Sequence, residues 1–342
     1  MTTSADPGPA PAERARAGTS PGGAPAGYVF RPASLADLPA CARIWREAIN
    51  TYLRPMNLPE IPDDLGPILR LYGHLQATDP GTFLVAEQTG ASGETGIDAF
   101  VAVVVRERLR FLSMLFVLPR AQGRGLGRAL LDATMPAADA TGAATGWRAT
   151  STDSAQPISN GLYASLGMVP RIPLLRLVGL PERPDAFPVL PEGIGISAFD
   201  EIDGDGGLAS AALGAELAGL DRGAVGFERS VDHAFVAGEG RHGFLYHDRT
   251  GAAVGYGYTS ESGRVGPIAV ADPALLGAVV GHLVTAVRPR GAFGLWVPGP
   301  AGEAVVPLLR AGFRLDGFPV LLCWDHPFAD FSRYIPISPG LL

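Results

Sequence analysis

The sequence predicts a mixed α/β fold that occurs twice in tandem. Strand and helix patterns follow one another over residues 28–178 in the order β-α-α-β-β-β-α-β-α-β, and a similar order starts again after residue 193. Residues 179–192 contain four prolines and are interpreted as an interdomain linker. We therefore expect an N-terminal domain over residues 28–178 and a C-terminal domain over residues 193–342.

Two short segments of the first copy recur in the second. Leu115–Val117 matches Ile268–Val270, and each is followed by a proline-containing turn and a helix pattern. Later in each copy, Tyr163–Met168 matches Leu308–Phe313 around a glycine. The landmarks lie closer together in the second copy, which is therefore a shortened version of the first.

Local patterns justify each element of the first copy. Ser34 and Asp37 resemble a capping box ahead of a helix whose apolar stripe runs from Leu38 to Tyr52. Pro136 predicts a kink or an early end in the helix that starts at Gly125. The strands are predicted at residues 28–31, 82–87, 98–106, 112–117, 147–152 and 174–178, and the remaining helices at 69–75 and 160–166.

The second copy repeats these patterns with a shorter set of elements. Gly251 marks the turn of a predicted hairpin. The predicted strands cover residues 194–197, 243–246, 253–259, 265–270, 292–297 and 320–324, and the predicted helices cover 208–220, 275–287 and 305–311.

The composition excludes several classes of function. All 27 basic residues are arginine, so the chain has no P-loop lysine, no lysine Schiff base and no lysine general base. Hydrophobic residues make up 47% of the chain, enough for a packed core. The net charge of −7 argues against a nucleic-acid partner, which needs a basic face.

No pattern predicts a metal, a disulfide or a membrane segment. Cys41 and Cys323 are far apart and fit neither a disulfide framework nor a zinc site, and the six histidines are scattered. The apolar run of residues 99–105 is too short to span a bilayer. Residues 1–27 are rich in Pro, Ala, Gly and Ser and are predicted to be a disordered tail rather than a signal peptide, so we expect a cytoplasmic protein.

One glycine-rich segment carries the chemistry. It lies between a predicted strand and a predicted helix, where backbone N–H groups and the helix dipole favour an anion. Glycines let the backbone come close to phosphates, and Arg120 adds a further positive charge nearby. The segment is interpreted either as a diphosphate-binding loop or as an ordinary strand–helix turn, and it reads Gln122-Gly123-Arg124-Gly125-Leu126-Gly127-Arg128.

With these residues in place, the chain resembles the GNAT superfamily, the GCN5-related N-acetyltransferases. The strand Leu115-Phe116-Val117 followed by Gln122-x-x-Gly125-x-Gly127 is similar to the acetyl-CoA motif of that family. Leu162-Tyr163-x-x-x-Gly167-Met168 is similar to the family's second signature. The resemblance covers residues 28–178 and extends to the second copy mainly through the repeat.

The resemblance implies an acetyl-CoA site between splayed strands and no metal. The pyrophosphate would be bound by the amides of Gly123 to Arg128, and the pantetheine arm would pair with the backbone of Leu115, Phe116 and Val117. Tyr163 occupies the position of the acid that protonates the departing CoA thiolate, a suitable role for a phenol. A core-packing role is the alternative for Tyr163.

Several assignments stay open at the level of sequence. Gln156 stands where the family commonly has asparagine, and Asn160 lies four positions later, so neither is assigned to pantetheine. Trp45, Tyr52 and Tyr72 are interpreted either as the lining of the acceptor pocket or as core residues. The general base is one of Glu87, Asp98, Glu107 and Asp153 or a water chain, with Ser113 as an orienting group, and the alternating Arg106, Arg108 and Arg110 form a basic face or a solvated edge.

The second copy lacks the chemistry. Asp272–Ala278 has one glycine and no arginine where the loop should be, and Leu308 replaces the tyrosine. We therefore expect an N-acetyltransferase that transfers an acetyl group from acetyl-CoA to a small-molecule amine by direct attack in the N-terminal domain. The alternative is a non-catalytic acyl-CoA-binding or sensor module, and O- or thiol-acylation is a third hypothesis. The expected assembly is a monomer with pseudo-dimeric halves or a homodimer.

Overall fold

The structure, a computed structural model, describes residues 23–90, 96–136, 146–203 and 210–342. Four sequence predictions fall wholly or partly outside these ranges. They are the disorder of residues 1–22, the centre of the hairpin turn at residues 91–93, the last part of the helix at residues 137–139, and the first two residues of the helix predicted at 208–220.

The elements of the first half follow the predicted order. α3 ends at Thr134, before Pro136, as the proline predicts. The strands are β1 (Tyr28–Pro32), β2 (Phe83–Gln88), β3 (Ile97–Arg106), β4 (Leu109–Val117), β5 (Trp147–Asp153) and β6 (Val169–Gly179). The helices are α1 (Leu38–Leu53), α2 (Gly66–Thr78), α3 (Leu126–Thr134) and α4 (Pro157–Ala164).

The capping box predicted at the start of the first helix is present. The backbone N–H and the hydroxyl of Ser34 both donate to the carboxylate of Asp37, at 2.8 and 2.7 Å. Arg31 donates to the same carboxylate from β1. These contacts fix the entry to α1, whose apolar stripe then packs against the sheet.

The second half contains short elements that the sequence patterns do not predict. They are α5 (Phe199–Asp203), α7 (Ser230–Gly238), β12 (Arg314–Leu315) and β14 (Tyr334–Ile335). The two strands have only two residues each, and α7 buries Asp232 and His233, which obscures its apolar stripe. Its strands are β7 (Gly195–Ala198), β8 (His242–His247), β9 (Ala253–Thr259), β10 (Val265–Val270), β11 (Phe293–Pro298), β12 (Arg314–Leu315), β13 (Val320–Trp324) and β14 (Tyr334–Ile335). Its helices are α5 (Phe199–Asp203), α6 (Ala211–Ala224), α7 (Ser230–Gly238), α8 (Leu276–Ala286) and α9 (Gly302–Ala311).

The two halves exchange strands within the larger sheet, whose order is β1-β2-β3-β4-β5-β13-β6-β11, with β12 also paired to β6. β13, from the second half, lies antiparallel between β5 and the beginning of β6. The end of β6, from the first half, lies antiparallel between β11 and β12. Strand pairing therefore crosses the proline-rich segment at residues 179–192 in both directions, and the division into two domains stays a prediction.

The smaller sheet belongs to the second half, with the order β14-β10-β9-β8-β7. The strand positions β7 to β10 repeat β1 to β4 of the first half, which agrees with the repeat in the sequence. A single parallel bridge between Arg264 and Gly294 connects this sheet to β11.

The larger sheet has a different helix pair on each face. Helices α1 and α2 pack with Phe111 and Met114 of β4, whereas α3 and α4 pack with Leu112 of the same strand and with Leu115. The two faces of β4 thus lead to two separate layers. Within the described ranges, no helix has the length and apolarity needed to cross a bilayer.

A buried ion cluster joins the two halves. Arg106, at the end of β3, donates to Asp79 on one side and to Asp232 of α7 on the other. His74 of α2 lies 2.8 Å from the same Asp232 carboxylate. The prediction of a basic face or solvated edge is therefore wrong for Arg106, which is 9% exposed. Arg108 stacks instead over the ring of Trp147, at 4.7 Å from its centroid.

Candidate active site

β4 and β5 begin as parallel neighbours and then separate. Their pairing covers Leu109–Leu112 and the first residues of β5, and the hydroxyl of Thr150 donates to the carbonyl of Leu112 at 3.0 Å where it ends. Ser113 is the extra residue of a β-bulge opposite β3. From Ser113 to Val117, the edge of β4 that turns toward β5 has no strand neighbour among the described residues.

The glycine loop lies at the start of α3. Gly123 and Gly125 have φ angles of +75° and +81°, a left-handed conformation that favours glycine. Within the described part of the chain, the backbone N–H groups from Gly123 to Arg128 have no hydrogen-bond acceptor. Exposed N–H groups at a helix start form a site for an anion such as a diphosphate.

The loop is held against the separated part of β4. The side-chain amide of Gln122 donates to the carbonyl of Val117 at 3.0 Å. A Cβ at Gly127 would lie 3.8 Å from the side chains of Leu115, Val117 and Leu162, so the helix start packs closely between β4 and α4. The N–H groups of the glycine loop and the free edge of β4 are therefore neighbours, and an extended ligand could contact both.

The three arginines of this region have different environments. Arg120 pairs with the buried carboxylate of Asp98 at 2.5 Å, and Arg128 pairs with Asp132 one helical turn away at 2.9 Å. Arg124 is exposed in the loop itself; burial and the hydrogen bond to Asp98 raise the pKa of the nearby Tyr28 hydroxyl, and the charge of Arg124 opposes this shift. Of these three arginines, Arg124 is therefore the main source of positive charge for an anion bound by the N–H groups of the loop.

Tyr163 lies on α4, on the same face of the sheet as the loop. It is 6% exposed and packs in the layer that contains Leu112, Leu126 and Cys323. Burial, with a smaller effect of the Cys323 thiol, raises the pKa of Tyr163 well above its usual range. No described residue forms a hydrogen bond to its hydroxyl, which keeps its proton and is available to donate it.

The candidate bases lie in separate places. Glu87 is paired with Arg31 at 2.6 Å, and Glu107 is in the β3–β4 turn, where it accepts the N–H of Glu228. Burial alone would raise the pKa of Asp98, but hydrogen bonds from Tyr28 and Gln88 and the charge of Arg120 lower it, and these contacts occupy its carboxylate.

Asp153 differs from the other candidates because it ends β5 at the open side of the two strands. Its side chain shares a face with Ser151, two positions earlier. Its carboxylate lies beside the hydroxyl of Tyr52 at the end of α1; burial raises the pKa of Tyr52 to about 12, and Asp153 contributes to the shift. Tyr52 therefore lies near one of the candidate bases, and its role in an acceptor pocket stays a prediction. Tyr72 is fully buried against Phe83 and Phe100 and belongs to the core.

Both residues near the asparagine position form hydrogen bonds at the start of α4. Gln156 accepts the N–H of Ile158 and caps α4. The side-chain N–H groups of Asn160 donate to the carbonyls of Asp153 and Gln156. The side-chain oxygen of Asn160 is buried without a partner among the described residues, three positions before Tyr163. It can accept one hydrogen bond from a ligand.

The second half closes the equivalent site with its own chain. β14 pairs with Ile268 and Ala269 of β10, which match Leu115 and Phe116 of β4 in the repeat. Gly277, near the start of α8, would place a Cβ 2.5 Å from the carbonyl of Glu303, so that backbone is covered. Leu308, in the place of the tyrosine, is fully buried. This half has no open strand edge and no accessible loop at these positions.

Sequence patterns missed one contribution to the site, a turn at residues 338–341 that reaches the same opening. The hydroxyl of Ser113 donates to the carbonyl of Gly340, and that of Ser151 donates to the carbonyl of Pro339. The dipeptide Pro339-Gly340 is a recognisable turn signal, but nothing local indicates where the turn docks.

The splayed strands, glycine loop and buried tyrosine define the fold of an acetyltransferase domain. Residues 79–169 match the family model described as an acetyltransferase (GNAT) domain. A search of curated protein sequences finds no match. The chain therefore contains a GNAT domain, as the resemblance in its motifs predicts.

Solved structures extend this similarity over most of the chain. A putative acetyltransferase from Pyrococcus horikoshii matches with a TM-score of 0.65 at 14% identity, over 92% of this chain and 96% of that one. A GCN5-related N-acetyltransferase from Sphaerobacter thermophilus matches with a TM-score of 0.55 at 18% identity, over 91% and 99%. A tandem GNAT protein from the clavulanic acid biosynthesis pathway matches with a TM-score of 0.52 at 16% identity, over 88% and 99%. At these identities the similarity establishes the fold, a mixed α/β fold shared with a tandem GNAT protein.

Proposed function

We propose that the protein transfers an acetyl group from acetyl-CoA to the amine of a small molecule and that the reaction takes place in the first half. The observation that carries the proposal is the glycine loop beside the unpaired edge of β4. The loop offers unpartnered N–H groups from Gly123 to Arg128, and the strand offers backbone groups from Ser113 to Val117. The second half covers both equivalents, which favours the first half as the site.

The residues present fit the two ends of acetyl-CoA. The loop and Arg124 suit the diphosphate, and the edge of β4 suits an extended chain with amide groups. The buried oxygen of Asn160 suits an amide N–H. Acetyl-CoA supplies an activated thioester, and the backbone N–H groups of the β4 edge can stabilise negative charge on its carbonyl oxygen.

Tyr163 is assigned as the acid that acts on the sulfur. As the amine nitrogen bonds to the acetyl carbon and the C–S bond breaks, the sulfur takes the proton of the Tyr163 hydroxyl. Because burial raises the pKa of Tyr163, the hydroxyl carries this proton throughout the physiological range. The tyrosinate formed in this step regains a proton from solvent as the CoA thiol leaves, and its raised pKa favours that return.

Asp153 is assigned as the group that accepts the proton of the amine. It lies at the open end of β5, on the sheet face opposite to the layer of Tyr163. The other three carboxylates lie away from this opening, at the positions described above. The hydroxyl of Tyr52 lies nearby but is buried without a hydrogen-bond partner among the described residues, so Asp153 accepts the proton directly. Acid and base thus act from opposite faces of the same opening.

Two measurements test the proposal. CoA should raise the Tm of the protein, and acetyl-CoA should acetylate at least one member of a broad amine panel, with the product identified by its mass. In Tyr163→Phe, CoA should raise the Tm as in the wild type, while acetyl transfer falls by about tenfold or more.

The alternatives predict different results. Absence of a Tm shift with CoA at any concentration contradicts the cofactor assignment. Binding of CoA without transfer to any amine supports a non-catalytic acyl-CoA-binding module. A product acetylated on oxygen or sulfur assigns the same site to a different acceptor atom.

A further inference from the structure

A tight turn of the chain lies in the opening between β4 and β5. Ser338 and Leu341 exchange two backbone hydrogen bonds, which makes Pro339 and Gly340 the tip of the turn. The tip is bound from both strands, by the hydroxyl of Ser113 at 2.5 Å and by that of Ser151 at 2.5 Å. These serines directly follow Leu112 and Thr150, the last paired residues of the two strands.

The turn lies on the face opposite to the glycine loop. A Cβ at Gly340 would lie 2.8 Å from Met114 and 3.6 Å from Leu71 of α2, which places the tip in the layer of α1 and α2. Leu341 and Leu342 are 1% and 3% exposed, and Arg229 donates to the carbonyl of Leu342. The turn therefore has an apolar base and a polar tip, and only the tip touches the opening.

The position of the tip matters for the proposed reaction. If acetyl-CoA follows the edge of β4 from the α3 face, the amine must approach from the α1 face, where Asp153 and Tyr52 lie. The tip of the turn fills this approach at the level of Ser113 and Ser151. A second molecule cannot use these hydroxyls while Pro339 and Gly340 do.

We propose that the turn at residues 338–341 occupies the acceptor subsite, and that Ser113 and Ser151 bind the acceptor when the turn withdraws. The proposal rests on the proposed function. The two carbonyls that the serines bind belong to consecutive residues, so the turn imitates the acceptor's own groups. The acceptor is then an amine that carries two carbonyl oxygens one residue apart, such as a peptide-like amide.

A reversible covalent lock tests whether the turn must withdraw. A Cβ at Gly340 would lie 3.6 Å from Oγ of Ser113, the atom that a cysteine sulfur would replace, so a small shift of the turn brings two sulfurs to the S–S bond length of about 2.05 Å. Its contact with Met114 involves the flexible end of that side chain. The double variant Ser113→Cys/Gly340→Cys can therefore be closed by oxidation and opened by reduction. The natural Cys41 and Cys323 are buried and stay out of the reaction.

The probe is glycylglycine amide, with acetyl-CoA as donor and the acetylated product measured by mass. CoA should raise the Tm of the oxidised double variant as it raises that of the reduced form. The oxidised form should acetylate the probe at least tenfold more slowly than the reduced form. Ser113→Cys alone is the control for the oxidant, and its rate, whatever its level, should be the same before and after oxidation. Equal rates in the oxidised and reduced forms overturn the proposal.

Removal of the two hydroxyls tests the recognition of the acceptor. In Ser113→Ala/Ser151→Ala, the KM for glycylglycine amide should rise at least fivefold relative to that for butylamine, which has no carbonyl. The same factor for both amines overturns the assigned acceptor class. Loss of CoA binding in the wild type, in contrast, contradicts the proposed function itself and is measured separately by the Tm shift.

Discussion

Arg106 and Asp232 form a buried two-point ion pair, at 2.7 and 3.0 Å, between the end of β3 and helix α7. The two residues are 126 positions apart in the chain. Asp79 binds the other side of the same guanidinium, and His74 binds the same carboxylate. One arginine thus binds two carboxylates where the halves meet.

Loss of this arginine should destabilise the whole chain. Arg106→Leu leaves Asp79 and Asp232 buried without their cation, and we expect the free energy of unfolding to fall by about 3–5 kcal/mol. Urea denaturation measures the change. Arg43→Leu, on the exposed side of α1, is the matched control and should change stability by no more than about 0.5 kcal/mol. An equal effect of the two substitutions would show that the cluster contributes nothing.

The same pair should make stability depend on acid pH. Burial favours the neutral form of Asp232, but hydrogen bonds from His74 and Arg106 outweigh it and lower its pKa to about 2. Since an unfolded aspartate titrates near 3.9, the stabilisation is complete above about pH 4 and is lost as the pH falls toward 2. Urea midpoints of the wild type and Asp232→Asn should converge over this window. Parallel curves would contradict the assignment.

Asp153→Asn should lower kcat, because the amide cannot take the proton of the amine. We expect a loss of about a hundredfold at neutral pH, partly recovered at high pH, where more of the amine is already unprotonated. Steady-state rates with the acetylated amine found in the panel measure the effect. Asp132→Asn, on α3, is the control and removes only the pair with Arg128. An unchanged pH profile in Asp153→Asn would assign the base elsewhere.

The alkaline limit of the reaction should lie above the ordinary pKa of tyrosine. Because burial raises the pKa of Tyr163, its hydroxyl stays protonated past about pH 10 and the rate should not fall there. The wild-type rate is expected to rise with the unprotonated fraction of the amine and then stay level. A decline centred below pH 10 that is absent in Tyr163→Phe would contradict the buried environment of the hydroxyl.

Gly125→Ala should weaken the binding of CoA. The substitution forces a side chain into a left-handed conformation at φ +81°, which costs about 1–2 kcal/mol and disturbs the N–H groups of the loop. Calorimetric titration with CoA should show a lower affinity. Gly214→Ala is the control, since this exposed helical position in α6 has no atom within 4 Å of an added Cβ. Equal affinities in the two variants would exclude the loop as the diphosphate site.

The exchanged strands should make the halves unfold together. Without β13, the sheet of the first half lacks the strand between β5 and β6. Calorimetry of the full chain should therefore give one transition, with equal calorimetric and van't Hoff enthalpies. Two separated transitions would mean that each half is stable by itself.

Local features of this protein are predictable from sequence because their causes are local. The glycine loop, the early end of α3 before Pro136 and the capping box of α1 depend on neighbouring residues. The strand at Val320–Trp324 is predicted with its observed bounds, since a short apolar run between Pro319 and Asp325 is typical of a buried strand. Its place between β5 and β6 depends on pairing partners more than 140 positions away, for which a single sequence carries no local signal.

The candidate site divides in the same way. Tyr163 and the loop follow from motifs, and the structure places both on one face of the sheet. The roles of Ser151 and the turn at Pro339-Gly340 arise only when distant segments meet. Arg106 was misinterpreted because its alternation with Arg108 suggests a surface strand, whereas its partner Asp232 lies in a helix whose polar residues hide its pattern.

The exchange of β6 and β13 also limits how such a gene can change. The second half has lost the loop and the tyrosine, yet a deletion that removed it would take away a strand from the half that keeps them. Selection on the half that keeps the loop and the tyrosine is therefore enough to preserve both halves. The second copy, which lacks the loop and the tyrosine, persists because it supplies a strand to the first.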